Sequence, residues 1–320
     1  MSIAILTSGG DCAGMNPAIK HFVDYCFNNG RKPYLVYDGL EGLIDNNIKL
    51  ATHSDVAGII HEGGTKIRSS RSKRFFEYKY RKKAFKNLQK LNINKLIVLG
   101  GDGSFKALHQ FYIDFKIPFV GVPATIDNDI FGTDYCLGVD TALNIIRTAT
   151  DAIRDTSSSF RRACVIETMG RACGYLTLIS ALTCGAEICI IPELEYDLKS
   201  LKKKLKKELK NGRHYIVCIV AEGTKQTQNI QNWLENELKI ESRTTILGHV
   251  QRGGNPTVYD RLMAAEFMTY AIDKLSHGLD EGVVIVYKNG LFKFQSIEYI
   301  TSSPYQINQN LLDIAIGMTK

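Results

Sequence analysis

A chain of 320 residues, 44% apolar and 23% charged, has the profile of a globular protein with a large core, which excludes disordered, fibrous and low-complexity classes. Its net charge of +7 leaves two readings, a nucleic-acid partner or arginines gathered around small phosphate esters. Eight scattered cysteines with no C-x-x-C pair suggest neither a zinc site nor a disulfide framework, and point to reduced thiols.

The N-terminus reaches Gly9 after only a few apolar residues, too short for a secretory signal, and no later run could span a bilayer, so a cytoplasmic protein is expected. From there one unit recurs: a short apolar run with β-branched residues, a Gly-rich or polar turn, then a helical pattern. Residues 3–6 precede the turn at 9–16. Residues 75–80, flanked by Arg74 and Arg81, read as a surface loop entering a helix rather than as a base-stacking platform. Residues 96–99 precede Gly100, Gly101, Asp102, Gly103 and Ser104. Residues 118–122 lead to 124–129, and residues 163–166 to Met169, Gly170 and Arg171. The densest basic run, 201–209, spaces Leu201, Leu205 and Leu209 four apart, which predicts an amphipathic helix with a solvated lysine face. Residues 215–220 end at Glu222 and Gly223, and residues 245–247 at the segment 248–254. This is the grammar of a parallel α/β protein of two intertwined lobes without a floppy linker. Ligands in such sheets bind beyond the carboxyl ends of the strands, so the six clusters are expected at that edge.

The clusters have chemical content. Gly9-Gly10 and 100–104 resemble two phosphate-cradling turns, where backbone without Cβ atoms can approach phosphate oxygens. Asp102 suits a carboxylate holding Mg²⁺; its structural alternative is a helix N-cap. Asp127 and Asp129 lie two apart after a strand. Transfer of a phosphoryl group to a hydroxyl needs a base, and Asp127 is assigned that role with Asp129 in support; an Asx-turn is the alternative. Arg71, Arg162, Arg171, Arg243 and Arg252, with His249, can grip phosphate, and together they outweigh the acids, so the ligands should be phosphorylated. The chain has no Walker loop, no G-x-G-x-x-G fingerprint, no protein-kinase H-R-D and D-F-G pair and no H-E-x-x-H.

Residues 6–11 (Leu-Thr-Ser-Gly-Gly-Asp) with 14–16 (Gly-Met-Asn), 100–104, 123–129 (Pro-Ala-Thr-Ile-Asp-Asn-Asp), 169–171 and 248–254 (Gly-His-Val-Gln-Arg-Gly-Gly) together resemble the bacterial-type ATP-dependent 6-phosphofructokinase family over nearly the whole chain. The resemblance implies two similar three-layer α/β/α lobes with mostly parallel sheets and an active site in the cleft at the strand ends. It implies an ATP-binding lobe at 1–138 and 253–303 and a fructose 6-phosphate-binding lobe at 139–252 and 304–320. The reaction implied is transfer of the γ-phosphoryl group of ATP to the 1-hydroxyl of fructose 6-phosphate, the committed step of glycolysis. ATP is then expected at Gly10, Arg71, Ser72 and Gly101 to Ser104, with Mg²⁺ at Asp102. Fructose 6-phosphate is expected at Thr125, Ile126, Asp127, Met169, Gly170, Arg171, Glu222, His249, Val250, Gln251 and Arg252. The catalytic set is Asp127, Arg171, Asp129 and Thr125. Arg162 and Arg243 match arginines that reach the sugar phosphate from a neighbouring subunit, which implies a homotetramer.

Gly103 and Ala124 favour ATP over pyrophosphate, because pyrophosphate-dependent relatives carry Asp and Lys there. The family's effector positions read Lys20, Asp24, His53, Arg154, Gly185, Glu187, Asn211, Arg213 and His214. Asp24 and Asn211 replace expected basic residues, so a weak response to ADP or phosphoenolpyruvate is expected. Lipid and NAD kinases share the Gly-Gly-Asp-Gly turn but do not account for 169–171 or 248–254. A catalytically inactive regulator on the same fold is opposed by the presence of Asp102, Asp127 and Arg171.

Overall fold

The computed structural model describes residues 1–320 and divides into two compact units. The first holds Met1–Ile126, Ile130–Thr141 and Arg252–Pro304; the second holds Asp127–Asp129, Ala142–Gln251 and Tyr305–Lys320. In the first unit the chain runs β1 (Ser2–Ser8), α1 (Met15–Asn28), β2 (Lys32–Val36), α2 (Gly39–Asp45), β3 (Ile48–Leu50), β4 (Ser69–Ser70), α3 (Tyr78–Lys90), β5 (Lys95–Gly100), α4 (Asp102–Phe115) and β6 (Phe119–Pro123), then enters α5 (Val139–Phe160). The second unit carries β7 (Ala163–Thr168), α6 (Tyr175–Cys184), β8 (Ile188–Ile190), α7 (Leu198–Lys210), β9 (Ile216–Ala221), α8 (Thr227–Trp233) and β10 (Ser242–Ile246). The chain returns to the first unit for α9 (Val258–Ser276), β11 (Gly282–Lys288), β12 (Leu291–Ser296) and α10 (Ile297–Ile300), and ends on α11 (Gln309–Ala315).

Each unit has its own sheet. The first is ordered β12-β11-β6-β5-β1-β2-β3, with the two residues of β4 pairing β1; the second is ordered β10-β7-β9-β8. Every pairing is parallel except β2 with β3 and β11 with β12, the two edges of the larger sheet. A parallel strand covered by helices on both faces must be apolar on both, and β6 and β9 are buried at every residue. Phe22, Phe105, Phe111, Phe119 and Phe267 fill the first core; Val165, Ile188, Ile190, Leu201, Leu205 and Val220 fill the second. The leucine spacing of the basic run is realised in α7, where Leu201 and Leu205 are buried and Leu209 packs against that core. All eight cysteines are buried free thiols. No helix is long and apolar enough to cross a membrane.

One buried carboxylate ties distant parts of the first unit together. Asp260, in the first turn of α9, is fully buried. It accepts from Tyr135 Oη (2.6 Å), Gly138 N (2.6 Å), Thr141 N (2.9 Å) and Thr141 Oγ1 (2.6 Å). It thereby supplies, from another helix, the acceptor that the first amides of α5 need. The reverse tie is Thr257, the N-cap of α9, whose hydroxyl accepts from Asp260 N and donates to Asp140 Oδ2 at 2.5 Å. Burial pushes the Asp260 carboxyl up and the four donors pull it down.

Asp260→Ala leaves buried donors without acceptors and is expected to lower unfolding stability by about 3–5 kcal/mol. Tyr135→Phe removes one donor only and should cost about 1–2 kcal/mol. Urea midpoints at constant m-value measure both, and equal losses would refute the hub role of Asp260.

Candidate active site

In the first unit the two glycine turns are neighbours because β1 and β5 pair in parallel. Ser104 Oγ donates to Ser8 O (3.2 Å) and to Ser8 Oγ (2.9 Å), fastening the second turn to the end of β1. The first turn is held from the other side. Gly9 N donates to Ser70 O at 3.3 Å and Ser69 Oγ donates to Gly9 O at 2.9 Å, which brings Arg71 and Ser72 beside it. Ser72 is buried and accepts from Phe75 N, whereas Arg71 is exposed. Gly10, Arg71, Ser72 and Gly101 to Ser104 thus stand together beyond the carboxyl ends of β1, β4 and β5.

Gly101 is the N-cap of α4 and has no side chain to satisfy the first amides, so this helix presents its positive end at the turn. Asp102 is the first residue of α4, not its N-cap, which removes the structural alternative for this acid. Its Oδ1 is buried without a hydrogen-bond partner, and burial raises its carboxyl above the usual range against a weaker pull from Lys106. No three acidic, histidine or cysteine side chains cluster anywhere as a closed metal cage. One orphaned carboxylate oxygen at a phosphate-cradling helix end fits a divalent cation that takes its remaining ligands from phosphate and water. A Cβ at Gly101 would meet only Ile130 Cδ1 at 3.8 Å, and one at Gly103 would meet no protein atom within 4 Å. The protein itself has no packing need for glycine there.

Arg252 also belongs to the first unit, although Gln251 belongs to the second. Its Nη1 donates to Asp11 O at 3.2 Å, and its guanidinium lies against Gly10. The segment 248–254, read from the sequence as one cluster, is divided between the two units. Thr125 and the buried Ile126 close the first-unit stretch after β6.

In the second unit the chain opens with Asp127, 1% exposed, followed by Asn128 in the left-handed region (φ 50°) and by Asp129. Arg171, from the turn after β7, sets its Nε 3.2 Å from Asp127 Oδ2 while the Arg171 side chain remains 57% exposed. A buried carboxylate beside a half-exposed guanidinium is placed to accept a proton, and the cation remains free to reach outward. Reaching Asp127 costs backbone strain, because Arg171 is a non-glycine residue at φ 54°, a conformation worth about 1–2 kcal/mol. Three contacts hold the turn: Glu222 Oε1 accepts from Arg171 N (2.9 Å), Gln251 Oε1 accepts from Met169 N (3.1 Å), and Glu193 Oε1 accepts from Gly174 N (2.8 Å). Gly170 in the same turn has φ 137°. His249 and Val250 are exposed on the short helical turn after β10. Burial pushes the Cys173 thiol up to about 12, with Glu193, Asp129 and Asp127 adding to it.

The expectation of a single edge fails for two arginines. Arg162 precedes β7 and Arg243 lies near the start of β10, at the end of the smaller sheet opposite to Arg171 and His249. Both pair with Glu241, at 2.8 and 2.6 Å, and Arg162 covers the exposed Phe160 ring at 4.5 Å. The residues at the effector positions divide between the two units. Lys20 pairs with Asp24, and His53 Nδ1 stands 3.7 Å from Asp24, all in the first unit. In the second unit Arg154 donates to Cys184 O beside Gly185, and Arg213 pairs with Glu187 and with Glu208 (2.8 Å). A recess of about 370 Å³ there is lined by Glu208, Asn211, Gly212, Arg213, His214 and Tyr215. Sequence reasoning missed Ser8, Glu193 and Asp260. Ser8 lies within the quoted motif 6–11 but nothing there marks its role, and no motif marks Glu193 or Asp260, since each acts on backbone or a hydroxyl that only the fold brings near.

The chain matches the sequence model of the family described as Phosphofructokinase over residues 2–275. It is 58% identical over 312 residues to the ATP-dependent 6-phosphofructokinase of Sulfurimonas denitrificans, covering 97% of this chain and 98% of that relative. It is 52% identical over 316 residues to the protein of that name in Wolinella succinogenes, covering 98% of each. Among solved structures, phosphofructokinase from Saccharomyces cerevisiae superposes with a TM-score of 0.89 at 30% identity over 99% of this chain, which spans 46% of the yeast chain. A pyrophosphate-dependent phosphofructokinase from Marinobacter aquaeolei, 17% identical with a TM-score of 0.82 over 97% of this chain and 86% of that one, shares the fold.

Two glycine substitutions separate packing from ligand demand. A Cβ at Gly223 would stand 1.9 Å from the Arg171 carbonyl oxygen, so Gly223→Ala must move the strained turn and is expected to cost about 2–4 kcal/mol. Gly103→Ala, in the first turn of α4 with no atom in the way, should instead stabilise the ligand-free protein by about 0.5–1 kcal/mol. Chemical denaturation of the two variants checks the opposite signs.

Proposed function

The chain belongs to the phosphofructokinase family, and from that premise we infer that it works as an ATP-dependent 6-phosphofructokinase, transferring the γ-phosphoryl group of ATP to the 1-hydroxyl of fructose 6-phosphate. The observation that carries the mechanism is the buried Asp127 carboxylate with the Arg171 guanidinium 3.2 Å away. Asp127 accepts the proton of the 1-hydroxyl as that oxygen attacks phosphorus. Arg171 pairs with Asp127 beforehand and offers its outward face to the charge spread over the transferring group. Thr125 and Asp129 support the base on either side of it. Arg71, Ser72 and the amides at Gly10 and Gly101 to Ser104 hold the ATP phosphates. Asp102 would hold Mg²⁺, which supplies charge neutralisation at the phosphate oxygens. Met169, Gly170, Glu222, His249, Val250, Gln251 and Arg252 bind fructose 6-phosphate.

This reading gives nucleotide to the first unit and sugar phosphate to the second and to Arg252, whereas the lobes implied by the sequence put 127–129 with the nucleotide and 252 with the sugar phosphate. Gly103 speaks for ATP as donor, because an aspartate there would meet no protein atom at its Cβ and would be excluded only by the ligand. Arg162 and Arg243, at the far end of their sheet from Arg171, complete the site of a neighbouring subunit in a homotetramer. The protein acts in the cytoplasm. The pairing of Lys20 with Asp24 leaves little net positive charge at the first effector group, which supports a weak response to anionic effectors.

A coupled assay for fructose 1,6-bisphosphate should register turnover with ATP and Mg²⁺ and none with pyrophosphate. Asp127→Asn is expected to lower kcat by about 10²–10⁴. Turnover with pyrophosphate, or an unimpaired Asp127→Asn enzyme, would refute donor or base respectively. Mixing inactive Asp127→Asn with inactive Arg162→Ala subunits should restore activity, since some mixed sites draw an intact half from each; failure to complement in a mixed oligomer would refute the shared site.

A further inference from the structure

The two adjacent glycines of the first turn are glycines for different reasons. Gly9 has φ +93°, which side chains rarely adopt. Gly10 is not in that region, so backbone conformation does not account for it. The three atoms nearest to a Cβ at Gly10 would all belong to the Arg252 guanidinium: Nη1 at 2.4 Å, Cζ at 3.2 Å and Nη2 at 3.5 Å. The same Nη1 donates to Asp11 O at 3.2 Å, one residue further along the turn. Room left by a missing side chain at one position and a carbonyl at the next thus form a seat for a planar cation. The second turn is different, since the space beside Gly101 and Gly103 is faced by almost no protein atom.

We propose that Gly10 is a positioning residue for Arg252, so that a glycine lying in the ATP-binding turn controls the affinity for fructose 6-phosphate. The inference rests on the family reading above, in which Arg252 grips the sugar phosphate. A guanidinium binds phosphate through two parallel donors in a fixed plane, and its orientation matters more than its charge alone. A methyl group at position 10 would push that plane by about 1 Å to restore ordinary contact distances. Displacements of that size lower catalytic efficiency by up to about 10²-fold. The obstructing atoms are the far end of a flexible side chain, so the fold itself accommodates the methyl group and the effect is confined to the cation.

The test is a double-mutant cycle on the full-length protein: wild type, Gly10→Ala, Arg252→Ala and the double variant, each with ATP and fructose 6-phosphate varied. Gly10→Ala should melt within about 2 °C of the wild type. Its KM for fructose 6-phosphate should rise about tenfold or more, and by a larger factor than its KM for ATP, which the same turn also serves. In the Arg252→Ala protein the methyl group enters space already cleared, so adding Gly10→Ala should change kcat/KM for fructose 6-phosphate by less than about twofold. Fructose 6-phosphate-induced thermal shifts give the same cycle if turnover of the Arg252 variants is too low to measure. A rise in KM for ATP with that for fructose 6-phosphate unchanged would overturn the proposal. So would a loss from Gly10→Ala that is as large without Arg252 as with it. A wild-type protein that never phosphorylates fructose 6-phosphate would mark a failure of the family reading instead.

Discussion

The buried Asp260 carboxylate is the constraint on which much of the first unit hangs. It sits in α9, late in the chain, yet four of its hydrogen bonds go to residues 135–141. Those residues lead back to the reacting stretch, because Leu137 N donates to Pro123 O and Leu137 bridges Ala124. A lone carboxylate inside a protein is costly unless its oxygens are filled, and four donors at 2.6–2.9 Å fill them. The cost of burying one charge is thereby converted into fixed geometry just upstream of Asp127. Thr257, the N-cap of α9, ties the helices in the reverse direction by donating its hydroxyl to Asp140 of α5.

The second unit solves a different problem. Its sheet delivers Met169, Gly170 and Arg171 on a turn that would relax if left alone, since Arg171 occupies a left-handed conformation. Acidic side chains hold it there by accepting backbone amides: Glu222 at Arg171 and Glu193 at Gly174. Strain of this kind persists only where the surroundings over-determine it. Gly223, whose hydrogen faces the Arg171 carbonyl, is part of the same enclosure.

What could be read from the sequence follows the range of the forces involved. Parallel strands buried on both faces appear as continuous apolar runs, and the six expected strands overlap β1, β5, β6, β7, β9 and β10, those at 118–122, 215–220 and 245–247 each overrunning by one residue. Local turns were equally legible, because a glycine pair or an Asp-Asn-Asp stretch constrains its own neighbourhood. The family resemblance supplied roles for residues that periodicity could not separate. The rest depended on contacts between parts distant in sequence. Asp102 is N1 of its helix rather than the cap because Gly101 adopts the extended conformation. Arg162 and Arg243 lie at the opposite end of their sheet because one precedes its strand and the other lies at the start of its own, a distinction that spacing alone blurs. Glu193 and Asp260 have no local signature, and the role of Ser8 is not legible from its motif, because their partners lie 19, up to 125 and 96 residues away respectively.

The chain passes between the two units five times, at 126/127, 129/130, 141/142, 251/252 and 304/305. This has a bearing on synthesis. Elements of the first unit begin at residue 2, yet α9, β11 and β12, which carry Asp260 and one end of its sheet, lie beyond residue 252. A nascent chain leaving the ribosome therefore displays β6 without β11 beside it until residues 282–288 are made. The second unit's sheet, by contrast, is complete by residue 246. The order in which the two sheets can close is thus inverted with respect to translation: the sheet begun first is finished last, while the inserted unit has all its strands in hand and waits only for residues 305–320.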